Sequence, residues 1–183
     1  MTLLLSLYGG LAIGLGGWIY LSLANKIFGA FLFSCGLLAV RYYKFNLFTG
    51  KTQYIFSNKY NLTEYILILI GNLIGVFLLS IFTTTLVKQP AIDVIMPKLT
   101  QAFPVLFIKG FGCGMLMSIA TSQKVPIYLC PIFVTAFILA GFNHCIADAY
   151  YMFTAQIISP SWLVTLLGNL VGGCLINAKL LDN

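Results

Sequence analysis

The chain has 183 residues, of which 60% are hydrophobic and 8% charged, with a formal net charge of +6 and a mean hydropathy of +0.99. No soluble domain of this size buries that much apolar surface, so lipid is the expected solvent for most of it. The modest basic excess suits anionic headgroups or an anionic solute and offers no stripe for a nucleic acid, so no nucleic-acid partner is expected.

A spanning helix needs about 20 mostly apolar residues, and six segments qualify. The first runs from Leu3 to Leu23 and stops at Asn25-Lys26. It lacks a basic leader and a cleavage stretch, so it reads as a retained helix rather than a signal peptide. The second starts at Ile27, meets Arg41, Lys44 and Asn46, turns at Thr49-Gly50-Lys51 and resumes to about Phe56. The third is Tyr65 to Val87, after Ser57-Asn58-Lys59. The link from Lys88 to Thr100, carrying Pro90 and Pro97, is the longest and marks the midpoint. The fourth is Phe103 to Ala120, the fifth Val125 to Phe153, and the sixth Trp162 to Ala178, introduced by Ser159-Pro160-Ser161. The whole reads as one transmembrane domain, 1–183, with halves of about 1–88 and 99–183.

The second and fifth segments, about 30 residues each, are too long for one crossing and too polar at the centre for a continuous helix. The fifth is interrupted by Gly141-Phe142-Asn143-His144-Cys145-Ile146-Ala147-Asp148, which holds the one histidine of the chain. Polar groups inside a membrane segment must find partners or line a wet cavity. The interruption has a counterpart. Phe45-Asn46 recurs as Phe142-Asn143, and Gly71-Asn72-Leu73-Ile74-Gly75 recurs as Gly168-Asn169-Leu170-Val171-Gly172, both at an offset of 97 (142 − 45 and 168 − 71). Three crossings per half make the second half enter from the opposite side. The expected fold is therefore an all-α inverted 3+3 repeat, with the second and fifth helices broken at the midplane where a transport site belongs.

Small residues four apart, such as Gly10 and Gly14 or Gly110 and Gly114, let helix backbones approach in lipid. Asn72 and Asn169 read either as interhelical hydrogen-bond glue or as pore groups. Cys35, Cys113, Cys130, Cys145 and Cys174 all lie in apolar runs without a Cys-x-x-Cys pair and read as buried thiols. One histidine and no acidic cluster leave a metal without ligands, and no cofactor is expected. No second acid–base group accompanies His144, which argues against an enzyme. The lysines divide four to three between the two sides and do not orient the chain.

The pieces Asn46-Leu47-Phe48-Thr49-Gly50, Gly141-Phe142-Asn143-His144-Cys145-Ile146-Ala147 and the two Gly-Asn-Leu-x-Gly copies resemble the formate/nitrite transporter family over nearly the whole chain. That resemblance implies an aquaporin-like fold assembled as a homopentamer, with a pore in each protomer. It implies a multi-pass protein of the bacterial inner membrane with cytoplasmic termini. The family's pore histidine falls on His144, the threonine facing it on Thr49, its lysine before the fourth helix on Lys98 and its sixth-helix asparagine on Asn169. Its two apolar slits fall on Leu37, Leu47 and Phe137 at one side and on Phe33, Phe48 and Met117 at the other. The chain departs from the family at Asn143, where a glutamate is usual, at Gly114 and Asp148, where asparagines are usual, and at Arg41 and Lys44, where small apolar residues are usual. Family members are usually longer at both ends, and a chain trimmed to the six-helix core is expected to be a constitutively open pore.

A bare anion meets a large desolvation cost in an apolar slit. Half-helix N-termini at the breaks, Lys98, Arg41 and Lys44 would lower it. His144, with an ordinary pKa of about 6.5, can donate a hydrogen bond or a proton, and Thr49 and Asn143 can exchange hydrogen bonds with it or with the solute. The expected function is a channel for small monovalent anions or their protonated acids, of the formate, nitrite and hydrosulfide class, with protons as co-substrates. The alternative is an aquaporin-like pore for water or small neutral solutes. A lone membrane histidine is also explained by a satisfied interhelical contact, and Asp148 by an ion pair with Arg41, Lys44 or Lys51.

Overall fold

A computed structural model describes residues 1–57 and 59–176, and among these residues the chain forms eight α-helices and two short 3₁₀ segments. Strands are absent among the described residues. The helices are α1 (Thr2–Ser22), α2 (Lys26–Tyr42), α3 (Phe48–Lys51), α4 (Leu62–Leu99), α5 (Phe103–Thr121), α6 (Cys130–Leu139), α7 (Cys145–Ala155) and α8 (Trp162–Leu175). Three of them, α1, α4 and α5, are each long and apolar enough to cross a membrane. Asn58 and Ala178, named above, lie outside the described residues.

Asn25 starts α2 by accepting the N–H groups of Ile27 and Phe28, and Asn61 starts α4 through a reciprocal capping box with Glu64. The link expected between Lys88 and Thr100 is helical and continues α4. The helix leaves regular geometry at Val87 (φ −132°, ψ 24°), three residues before Pro90. Proline has no N–H and crowds the carbonyl four residues back, so the axis kinks ahead of it and a second helical stretch follows.

α1 packs on α4 and α5 packs on α8, while α4 with α7 and α2 with α6 join the two halves. Where α1 meets α4, a Cβ on Gly10 would collide with the backbone carbonyl of Asn72. Where α5 meets α8, a Cβ on Gly114 would collide with that of Asn169. Large apolar side chains such as Leu4, Phe28, Phe82, Ile108 and Leu163 remain on the outside, as a protein solvated by lipid or by further subunits requires.

Candidate functional site

Two chain reversals position the site, and they are built alike. Two residues past the end of each helix, Lys44 after α2 and Gly141 after α6 are both in the left-handed region (φ 57° and 68°). The N–H groups of Phe45 and Phe142 then reach back to the carbonyls of Val40 and Phe137 at 2.9 and 3.0 Å, closing each helix end as a left-handed residue permits. The next N–H groups, of Asn46 and Asn143, donate to Leu5 in α1 and Lys109 in α5.

One asparagine staples each reversal. Asn72 Nδ2 donates to the carbonyls of Ser6 and Asn46 at 2.6 and 2.8 Å, and its Oδ1 accepts the Phe48 N–H at 2.8 Å. Asn169 Nδ2 donates to the carbonyls of Gly110 and Asn143, and its Oδ1 accepts the Cys145 N–H, all at 2.8 Å. The reversals and their asparagines match at the offset of 97, whereas the α1 and α5 partners match at 104 (109 − 5). The helices diverge after the reversals. In the first half, Thr52 Oγ1 and Gln53 Nε2 take the carbonyls of Thr49 and Gly50, so α3 stops after one turn and a 3₁₀ segment follows.

His144 is the N-cap of α7. Its Nδ1 accepts the N–H of Ala147 at 3.1 Å, and its Nε2 lies 2.9 Å from Thr49 Oγ1. A backbone N–H only donates, so Nδ1 carries the lone pair, the neutral ring holds its hydrogen on Nε2, and that hydrogen is donated to the threonine. Both side chains are buried. The Phe137 ring stacks on the imidazole at 5.8 Å, and Phe33 meets Phe137 edge-on at 6.2 Å.

Two cavities approach this contact. The larger, about 530 Å³, is lined by Arg41, Lys44, Lys51 and Lys59 together with Leu47 and Gly50, the neighbours of the Phe48-Thr49 step. The smaller, about 40 Å³, is lined by His144 itself with Phe33, Phe137, Lys98, Asp148 and Tyr151. Lys98 Nζ lies 2.6 Å from Asp148 Oδ1 and 5.8 Å from the centre of the Tyr151 ring. Arg41 is committed elsewhere. Its guanidinium donates to the carbonyls of Ala120, Ser122 and Val125 at 3.0, 2.9 and 2.7 Å and approaches Cys130 Sγ at 3.3 Å, gathering the chain that leaves α5.

The formate/nitrite transporter family model matches residues 1–181. The chain belongs to the formate/nitrite transporter family. Formate-nitrite transporter 2 of Toxoplasma gondii (strain ATCC 50611 / Me49) is 29% identical over 125 residues, 56% of this chain and 27% of that protein, so the matched region spans little more than a quarter of that relative. Among solved structures, a pentameric formate channel with formate bound superposes with a TM-score of 0.80 at 20% identity, covering 99% of this chain and 94% of the other. An FNT family ion channel superposes at 0.72 and 20% identity, covering 99% and 87%. These likenesses establish the fold of a transporter-family integral membrane protein.

Against this family frame, the residues singled out by sequence fall into three groups. His144, Phe33, Phe137 and Lys98 line the smaller cavity, and Thr49 touches His144 from outside that lining. Phe137 shares that cavity with Phe33, while Leu47 faces the larger cavity. Leu37, Phe48 and Met117 are buried nearby but line neither cavity. Asn169 spends its amide on backbone and also lines neither. Asn143 is fully buried, and its side-chain amide meets no hydrogen-bond partner among the described residues. Asp148 pairs with Lys98 and not with Arg41, Lys44 or Lys51.

Sequence reasoning missed Tyr20 and Tyr151 at the smaller cavity and the cluster Lys51, Tyr54, Lys59, Tyr60 at the larger one, where Lys51 and Lys59 sit 5.2 and 4.3 Å from the ring centres of Tyr60 and Tyr54. The alternation of lysine and tyrosine between residues 51 and 60 was the available signal.

Proposed function

We propose that the chain is a transmembrane pore for small monovalent anions or their conjugate acids, of the formate, nitrite and hydrosulfide class, and that His144 and Thr49 form its central hydrogen-bonding station. Membership of the formate/nitrite transporter family across residues 1–181 carries the reading. The geometry supports it: Thr49, whose neighbour Gly50 lines one cavity, touches the histidine that lines the other. The bound state of the superposed channel, which holds formate, is consistent with a solute of that size.

In this reading the membrane is crossed six times by an inverted 3+3 repeat. α2 with α3, and α6 with α7, are the second and fifth crossings, broken near the midplane. The paired left-handed residues, paired Asn staples and constant offset support that arrangement. An even number of crossings puts both termini on one side, taken to be the cytoplasm of a bacterial cell. The protomers form a homopentamer, a reading supported by the pentameric state of the superposed formate channel.

The Nε2–H of His144 is the donor a solute oxygen meets, and Thr49 Oγ1 is the acceptor it displaces. Phe33, Phe137 and Leu47, with Leu37, Phe48 and Met117 behind them, strip water from the solute. Asn143 joins as a ligand on the strength of its unpartnered amide. Asn169 acts as the staple of the α6–α7 reversal. The test is weak-acid flux in proteoliposomes with His144→Ala. Loss of most of the protein-dependent flux is expected, and flux of normal size and pH dependence would remove the histidine from the mechanism. Swelling in glycerol with no response to formate would favour the neutral-solute pore instead.

A further inference from the structure

The charge at the inner station is cancelled within the chain itself. Lys98 reaches it from the C-terminal stretch of α4, and Asp148 from the first turn of α7, with 2.6 Å between Nζ and Oδ1. Among the residues lining the smaller cavity, these two are the charged side chains. The titratable neighbours are His144, Tyr20 on α1, Cys113 on α5, and Cys145 and Tyr151 on α7, of which the thiols and phenols are uncharged at neutral pH at their ordinary pKa values, and Lys109 on α5 places its Nζ beside Gly141 at the edge of the cavity. The ion pair is therefore electrically neutral as a unit, and the Asp148 carboxylate occupies the place that a permeant carboxylate would take on Lys98.

The rest of the station suits a neutral acid. His144 offers one N–H, fixed on Nε2 because Nδ1 is held by the Ala147 N–H, and Thr49 Oγ1 is the acceptor beside it. An undissociated weak acid brings one acceptor oxygen and one O–H, and so matches both. Its anion brings acceptors alone. Among the residues that line the cavity, the anion also finds no free cation to offset its desolvation, since Lys98 is engaged. We propose that Asp148 is the specificity determinant of this pore, and that by holding Lys98 it admits the weak acid as a neutral molecule and excludes the free anion. The proposal rests on the pore reading above and names the species that passes.

The experiment uses the full chain in proteoliposomes with formate as the probe, measuring total acid uptake against protein-free vesicles and, separately, the electrical current carried by the anion. Wild type is expected to take up acid without current, at a rate that falls about tenfold per pH unit above the pKa of the acid at fixed total concentration. Asp148→Asn, which is isosteric and leaves Lys98 unpaired, is expected to raise the anion current by about tenfold or more and to flatten that pH profile. Asp148→Glu is expected to behave as wild type, and Lys98→Gln combined with Asp148→Asn to lose the gained current. Equal anion currents in wild type and Asp148→Asn, with acid uptake intact, would overturn this proposal and leave the pore standing. A wild type with no protein-dependent uptake at any pH would overturn both.

Discussion

His144 and Thr49 meet across the two halves of the chain, Nε2 to Oγ1 at 2.9 Å, in a contact where both side chains are fully buried. The contact satisfies the ring when no solute is bound, and in the proposed pore an arriving acid takes its place, accepting from Nε2–H and donating to Oγ1. Thr49→Val keeps the shape and removes the acceptor. The His144 N–H is then bare in the empty pore and the O–H of an entering acid is left unpaired, and an unmade buried hydrogen bond costs about 1–3 kcal/mol. The expected outcome in proteoliposome flux is a maximal rate of formic acid uptake lowered about tenfold or more. Thr49→Ser should restore it. Uptake of wild-type size in Thr49→Val would show that Oγ1 takes no part in the station.

Asn72 and Asn169 each make three bonds to backbone groups of a chain reversal. Replacing either with alanine strands two carbonyls and an N–H. At about 1 kcal/mol or more for each, the protein should lose about 3 kcal/mol or more of stability. The measurement is thermal unfolding in detergent, with formate selectivity as the second readout. Both variants should unfold earlier, and in the material that remains folded Asn169→Ala should not reorder selectivity. Altered selectivity without a change in stability would return Asn169 to the list of solute ligands.

The sequence was legible where local chemistry is strong. The interruptions at Phe45-Asn46 and Phe142-Asn143, and the asparagines 97 residues apart, located both reversals and their staples. His144 stood out because no other histidine competes with it. The correspondence of α1 with α5 was hidden, since it runs at 104 rather than 97 and the glycines involved are common in any membrane helix. The helical course of residues 88–99 was hidden by two prolines that read as a linker, although a proline in the first turn after a kink is well tolerated. The Lys98–Asp148 pair was out of reach because its members lie 50 residues apart on helices whose packing no periodicity encodes.

Arg41 illustrates the same limit. Its charge suggested a contribution to the positive potential that draws an anion, but its guanidinium is bound to three carbonyls at and beyond the end of α5. Helix C-termini hold unsatisfied carbonyls, and a cation there is favourable. Arg41→Met should therefore act on stability, costing about 2–4 kcal/mol through the stranded carbonyls, and Arg41→Lys should recover only part because it cannot fork between partners. Differential unfolding measurements decide this. A selectivity change in Arg41→Met at wild-type stability would contradict the structural assignment.

The larger cavity is lined by Lys44, Lys51 and Lys59 besides the bound Arg41 guanidinium, and no acidic residue is among its described lining residues. Such a mouth concentrates anions and leaves neutral molecules at their bulk concentration, because a potential acts only on charge. Its effect on transport therefore depends on which species the inner station accepts. In wild type, Lys51→Gln with Lys59→Gln should leave formic acid uptake within about twofold, since the permeant molecule is neutral. In the Asp148→Asn background the same pair of substitutions should lower the anion current severalfold at about 10 mM salt, and the difference should vanish near 1 M, where the screening length falls to about 3 Å. Current recordings across that salt range, on the two backgrounds in parallel, supply the check. A salt-dependent loss of uptake in wild type as large as in Asp148→Asn would mean that the native pore already passes the anion.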